Sequence, residues 1–565
     1  MLKFSQYDYK RPDIAKYKDL VEEQLKQFEA SQTAEDQIKI MTFLSEEEKE
    51  IDSMFDLAYI RNTIDTRDEF YDGEVAFMDE AGPELEAVKT TYYKTILTSP
   101  FRQELEAKFG SLLFKKAENQ IKTFDEAIKE DLKEENKLST EYRKLLASAE
   151  IDFEGKTYNM SELGPFREST DRDVRERANK AYFGFLADNR DTLDRIYDDM
   201  VKIRTDMAKK LGYDNFVELG YRRMERLDYN QDMVKVFRDQ VRDHIVPICN
   251  ELRERQKKRL DYSELKYFDE NYRFTSGNPK PKGNPDWIVS KAQKMYQELS
   301  PETHEFFQYM QDRELLDLVT KKGKAGGGYC TFIPKYESPF IFSNFNGTLG
   351  DVTVLTHEVG HAFQVYSSRD AIVPEYLWPS SESAEIHSMG MEFLTWPWMD
   401  EFFLEDGDKF RFVHLEEGLQ FIPYGVSVDE FQHYVYNNPQ ASPEERRQAW
   451  SDIEATYLPH LDYDGLDYLE TGGFWQRQAH IYEMPFYYID YTLAQICAFQ
   501  YLVKSLDNRD KAWESYLKLC QAGGKDTFLG LLKLADLDSP FQPGTVENIT
   551  QVIKAWLDKV DDTQF

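Results

Sequence analysis

Two histidines four residues apart, with a glutamate beside the first, stand in the run Asp351-Val-Thr-Val-Leu-Thr-His357-Glu358-Val-Gly-His361-Ala-Phe-Gln-Val-Tyr366. On a helix, residues i and i+4 project from one face, so both imidazoles can reach one ion. Zinc is the default for such donors. Glu358 then lies to one side, where its carboxylate can serve a water molecule rather than the metal. The run itself predicts a helix: Val354, Leu355, Val359, Ala362, Phe363 and Tyr366 recur at helical spacing, and Asp351 is expected to cap its start. A chance match to this pattern would fall most easily on a solvated surface helix. This one falls in the most apolar helix of its region, just after two predicted strands.

A catalytic zinc takes three protein ligands and leaves a position for water. A histidine six residues after His361 would make the site metzincin-like, but that position is Ser367. The third ligand is therefore expected from a following helix, in Ser380-Ser-Glu382-Ser-Ala-Glu385-Ile-His387-Ser-Met-Gly-Met-Glu392-Phe393. Ser380 or Ser381 would cap that helix, with Glu382 as a first-turn charge. Glu382, Glu385 and Glu392 share one face, and His387 points away from it. Of the four groups Glu385 is taken as the ligand. Glu392 is a candidate hydrogen-bond partner for a ligand histidine, and His387 is expected to pack or to line the cleft.

The elements that must position these groups are mostly helical. Ile14, Tyr17, Val21, Leu25 and Phe28 mark one long amphipathic helix, and Glu104–Lys137 reads as another helical stretch. Ile151–Met160 alternates around Glu154-Gly155-Lys156, as in a short β-hairpin. Helical patterning resumes at about Asp171 and runs to about Leu265. Pro279, Pro281, Gly283 and Pro285 then mark a loop. Tyr329–Ile333 and Pro339–Phe345 are aromatic, partly β-branched runs bounded by Gly and Pro, and they predict two short strands. Gly326-Gly327-Gly328 before them lacks the Lys-Ser/Thr of a phosphate loop and reads as a turn or lid.

The chain has 565 residues and a formal net charge of −34. Such a surface repels phosphate backbones and anionic bilayers, which argues against nucleic-acid and membrane partners. Cys249, Cys330, Cys497 and Cys520 are widely spaced, which fits reduced thiols better than a disulfide framework. With neither an N-terminal apolar run nor a span-length apolar stretch, the sequence reads as cytoplasmic.

The motif His357-Glu-Val-Gly-His361, the downstream Ala384-Glu385-Ile-His-Ser388 with Met391-Glu392, and the block His480-Ile-Tyr-Glu-Met-Pro-Phe-Tyr487-Tyr488-Ile-Asp-Tyr491 together resemble the oligoendopeptidase F branch of the thimet oligopeptidase family. Ser338–Asn346 adds to the likeness, which covers roughly residues 150–545. The resemblance implies a mainly α, two-lobed metallopeptidase with a deep substrate channel and a small β-element beside the zinc helix. An N-terminal lobe would span 1–150 and a catalytic domain 151–565. It implies one zinc per chain and short peptides as substrates. It places the zinc glutamate in a Glu-x-x-Ser pattern, matching Glu385 and Ser388. His480 with Tyr488 and Tyr491, and Tyr487 close behind, would bind substrate and stabilise the oxyanion. The strand around Phe340–Phe345 would offer its edge to the substrate backbone. An exopeptidase with the same zinc chemistry would also need a group that anchors a substrate terminus, and no sequence motif marks one. A non-catalytic peptide-binding protein on the same fold would be expected to carry a damaged motif, yet every catalytic residue type is present.

Overall fold

The computed structural model describes residues 2–565, and most of them are helical. Three long helices, Ile14–Ala30, Ala34–Ile64 and Glu69–Leu97, open the chain. Each starts on a side-chain cap: Asp13, Thr33 and Asp68 accept backbone N–H groups of the first turn. Their shared apolar faces bury Val21, Leu25, Leu44 and Val88 in one cluster. A second cluster holds Phe28, Met41, Tyr93 and Ile96 together with Val373 and Tyr376 from far along the chain. The N-terminal helices are thus pinned to the rest of the molecule. Tyr93 donates to the Glu375 carboxylate at 2.6 Å, and the Leu113 N–H donates to the Tyr376 hydroxyl at 2.8 Å.

The stretch expected to be helical over 104–137 is broken into Arg102–Phe109, Ser111–Gln120 and Lys129–Ala147. The first break is at Gly110, whose φ of 90° no other residue type adopts cheaply; a Cβ there would also lie 2.9 Å from the Tyr376 hydroxyl. The hairpin expected near 151–160 is present as β1 (Ile151–Phe153) and β2 (Lys156–Tyr158), paired antiparallel.

A small sheet follows, built from β3 (Leu316–Val319), β4 (Tyr329–Ile333) and β5 (Ser338–Phe345) in the order β3-β5-β4. β3 has no counterpart among the strands the sequence predicts; it is four residues long and carries an aspartate. β5 is parallel to β3 and antiparallel to β4. Its near-continuous burial fits a central strand covered on both faces. The position of β5 corrects the expectation that Phe340–Phe345 offers a free edge: both of its edges are paired, and the outer edges of the sheet belong to β3 and β4.

The sheet packs on the helix Gly350–Ser367, which carries His357, Glu358 and His361. Asp351 does not cap this helix from outside. It sits in the first turn, and its carboxylate accepts the N–H groups of Asn346 and Gly347 at 2.9 and 3.0 Å. That bond ties the exit of β5 to the helix start. Ser381–Leu394 lies against this helix, and Gly407–Asn437 and Tyr488–Asp507 complete the surroundings. All of these elements share one continuous apolar core. Among the described residues no helix is long and apolar enough to cross a membrane.

Candidate metal centre and active site

The helices Gly350–Ser367 and Ser381–Leu394 approach so closely that only glycine fits between them at one point. A Cβ on Gly360 would lie 2.4 Å from the His387 carbonyl oxygen and 2.6 Å from Ser388 Cα. This contact brings Glu385 onto the histidine pair. Glu385 Oε2 lies 3.2 Å from His357 Nε2 and 3.3 Å from His361 Nε2. The three side chains form a group whose donor atoms all fall within 4.8 Å of one another. Two imidazole nitrogens and one carboxylate oxygen, all converging, are the donor chemistry that suits a zinc ion. The Glu385 carboxyl is fully buried, which raises its pKa. The His361 and His357 imidazoles more than offset this and hold it well below the usual range. Its oxygens have further partners: Ser388 donates to Oε2 at 2.8 Å and Tyr487 to Oε1 at 2.5 Å.

A chain of hydrogen bonds sets the orientation of His357. The Trp396 indole N–H, which can only donate, bonds His414 Nδ1 at 2.8 Å. His414 must then carry its proton on Nε2, which meets Glu392 Oε2 at 2.6 Å. Glu392 Oε1 faces His357 Nδ1 at 2.7 Å. Glu392 accepts a hydrogen bond from His357 Nδ1–H, which leaves Nε2 as the ring atom that faces Glu385 and His361 and that an ion would bind. His361 has no such support, since its Nδ1 is buried without a partner among the described residues. The hold on a metal here would therefore lean on Glu392 and the groups behind it. Replacing His414 with Phe should weaken zinc affinity by about ten- to hundredfold, the usual effect of losing such outer support. Zinc competition with a chromogenic chelator measures this, and an unchanged affinity would show that His414 has no part in the site.

Glu358 is 5% exposed, and its Oε2 has no hydrogen-bond partner among the described residues. Burial raises its pKa, against the pull of both histidines. A buried carboxylate with a free oxygen beside a ligand group is poised to accept a proton. The last glycine of the triple-glycine turn lies against it. A Cβ on Gly328 would be 3.2 Å from Glu358 Oε1 and 2.9 Å from Val354 Cγ1. The turn therefore leads into β4 right beside this carboxylate, and the free edge of β4 runs away from it.

The tyrosine-rich block is a broken helix. Ala479–Glu483 ends before Pro485, Phe486 takes a φ of 69°, and Tyr488–Asp507 begins two residues later. Two buried arginines hold the break. Arg204 donates to the carbonyls of Ile481 and Tyr482, and Arg226 to the Phe486 carbonyl and the Asp490 carboxylate. His480 is thereby fixed next to Tyr487 and Tyr491. Tyr424 donates to Gln478 Oε1 at 2.9 Å, and Gln478 Nε2 then donates to His480 Nδ1 at 2.8 Å. This leaves the His480 proton on Nε2, 3.2 Å from the Tyr491 hydroxyl. Burial lowers the His480 pKa to about 4, so the ring is a neutral donor at physiological pH.

The three tyrosines of the block all stand near His480. Tyr487 touches Glu385 directly, and Tyr491 stands beside His480. The Tyr488 ring also packs against His480, with centroids 5.1 Å apart, and lines the same cavity as His480 and Tyr491. Glu382 is buried in the first turn and His387 is buried behind the helix; neither belongs to the metal group.

Comparison with known proteins gives the family of the chain. The model of peptidase family M3 matches residues 166–550, and that of the peptidase M3 N-terminal domain matches residues 4–124. The chain belongs to peptidase family M3. Its structure is similar to that of PZ peptidase A with inhibitor 2, at 54% identity and a TM-score of 0.99 over 99% of this chain and 100% of that one. Oligopeptidase PepF of Bacillus subtilis is 22% identical over 98% of this chain and 83% of that protein. An oligoendopeptidase F homolog of Borreliella burgdorferi is 23% identical over 70% of this chain and 66% of that protein.

Within this M3 chain, sequence reasoning missed His414, Gln478, Tyr424 and the contact role of Gly328. His414 lies 22 residues beyond Glu392, on another helix, with no motif around it. Gln478 alone carried a signal, as the polar residue two positions before a candidate histidine.

Proposed function

We propose that this peptidase is a zinc-dependent endopeptidase that hydrolyses internal bonds of short peptides. The observation that carries the reading is the convergence of His357 Nε2, His361 Nε2 and Glu385 Oε2, with a free carboxylate oxygen of Glu358 alongside. His357, His361 and Glu385 would hold the ion. Zinc there supplies Lewis-acid chemistry, polarising the scissile carbonyl and making water easier to deprotonate.

The chain's own groups do the rest. Glu358 takes a proton from the attacking water and delivers it to the leaving nitrogen. Neutral His480 and the Tyr491 hydroxyl donate to the developing oxyanion, and Tyr487 steadies Glu385 and stands ready as a further donor. The free edge of β4 offers unpaired backbone groups to an extended peptide and leads it past Glu358. An extended peptide can pair with that edge without first unfolding, which favours short, unstructured peptides. The names of the relatives, oligopeptidase and oligoendopeptidase, agree with this reading.

Cleavage of a peptide of about ten residues, acetylated at one end and amidated at the other, tests it. Mass spectrometry should find a cut at an internal bond, since an extended strand of about 3.3 Å per residue can cross the site with both ends blocked. Cleavage of the unblocked peptide alone, with only terminal fragments released, would replace the endopeptidase reading with an exopeptidase.

A further inference from the structure

In a chain of net charge −34, four arginines line one cavity of about 280 Å³: Arg167, Arg253, Arg273 and Arg477. Only two carboxylates, Glu270 and Glu417, line it with them. Glu270 is engaged by Arg253 at 2.6 Å and by His460 at 3.3 Å. Glu417 is 3.5 Å from Arg273, which also bonds Glu416 at 3.1 Å. Arg167 and Arg477 are different. Among the described residues no carboxylate lies within salt-bridge distance of either. Arg167 donates only to the Asn179 amide oxygen, at 2.9 Å, and its guanidinium lies 4.0 Å from the centre of the Tyr182 ring. Arg477 lies over the Phe474 ring at 4.1 Å.

Donors are also left over. Arg253 and Arg273 are 9% and 3% exposed, and each keeps a buried Nε–H with no partner, as does Arg477. Guanidinium groups held in a cavity without counter-charges, as Arg167 and Arg477 are, are costly to maintain for the fold alone. Their planar forks are suited to a carboxylate, which can accept two parallel bonds from one arginine.

The cavity's position says which carboxylate. Glu417 and Phe421 line it and also line a neighbouring cavity of about 320 Å³, whose wall includes His480, Tyr488 and Tyr491. The Phe421 ring stands edge-on to Tyr488 and Tyr491, with centroids 5.7 and 6.3 Å away. The arginine-lined cavity thus lies next to the one that holds His480 and Tyr491, with Glu417 and Phe421 as their common wall. We propose that this arginine-lined cavity receives a carboxylate of the substrate peptide, and so sets the distance between that carboxylate and the bond that is cut. The C-terminal carboxylate and an acidic side chain near the C-terminus are its two sources. The assignment rests on the peptidase reading above and supplies the terminus anchor that no sequence motif marked.

The test uses a series of acetylated, internally quenched peptides of one sequence. Each is made as free acid, as amide, and as amide with a terminal glutamate. The part beyond the scissile bond grows from about two to about six residues, in steps of about 3.3 Å. At one length the free acid should exceed its amide in kcat/KM by about tenfold or more, the scale of a charge-assisted contact. A glutamate amide that matches the free acid assigns the cavity to any carboxylate; one that matches the plain amide assigns it to the C-terminus. The acid-to-amide ratio should fall toward unity in Arg477→Gln and Arg167→Gln, and Arg477→Lys should retain part of it. A ratio of unity at every length in the wild type overturns the proposal, as does a ratio that survives both glutamine variants. Calorimetric binding of the same acids and amides reads the difference without turnover. Amides that are cleaved as fast as acids would sink the cavity alone, whereas peptides that bind with the expected preference but are never cut would sink the peptidase reading alone.

Discussion

Gly360→Ala should sharply weaken the binding of zinc at His357, His361 and Glu385. The added methyl would meet backbone on the facing helix, at 2.4 Å from the His387 carbonyl oxygen and 2.6 Å from Ser388 Cα. Neither atom can rotate away as a side chain would. The helices must separate by roughly an ångström to restore ordinary contact, and zinc ligation tolerates only about 0.2 Å of error in its distances. Glu385 rides on one of these helices and both histidines ride on the other, so the separation pulls the ligand set apart. Zinc affinity should drop by on the order of a hundredfold or more, given that losing outer support alone costs ten- to hundredfold. Overpacking should also destabilise the fold by about 1–3 kcal/mol. Chelator competition and the urea midpoint measure the two effects separately. Wild-type zinc affinity in this variant would mean that the helices meet elsewhere.

Glu358→Gln should nearly abolish turnover while leaving substrate affinity close to that of the wild type. Glutamine keeps the shape and the contact with Gly328 but cannot take a proton. Loss of general base and acid in one residue corresponds to about 10²–10⁴ in kcat. The neutral amide also removes a buried charge, so the variant should be no less stable than the wild type. Steady-state kinetics on a quenched peptide would show kcat collapsing with KM little changed. A loss of kcat/KM that comes only from a raised KM would assign Glu358 to binding instead.

Much of this site is legible in the sequence, because its chemistry depends on short spacings. The i, i+4 histidines share a face on any helix, and Glu385 follows on the next helix in a face-matched position. The strands Tyr329–Ile333 and Ser338–Phe345 show in their aromatic, β-branched runs. Their order in the sheet does not, since β3 is too short to announce itself and pairing is a long-range property. That is why β5 reads as an edge strand in the sequence although it is central in the fold.

Long-range partners are equally hidden. Glu392 stands out as a candidate support for a ligand histidine, but the pair behind it, His414 and Trp396, depends on how a third helix crosses the site. The tyrosines show the same limit at close range. Tyr487, Tyr488 and Tyr491 are near equivalents in sequence, and the break at Pro485 and Phe486 alone decides which one faces Glu385. The buried arginines that hold this break, Arg204 and Arg226, lie about 250 residues or more before it in sequence.

The most direct test of the central claim is zinc content and peptide cleavage measured side by side for the wild type, Glu358→Gln and Glu385→Gln. With three protein ligands at one site, about one zinc per chain is expected in the wild type and in Glu358→Gln, and far less in Glu385→Gln. Cleavage should appear in the wild type alone. Full zinc occupancy in Glu385→Gln, or undiminished cleavage by Glu358→Gln, would contradict the account.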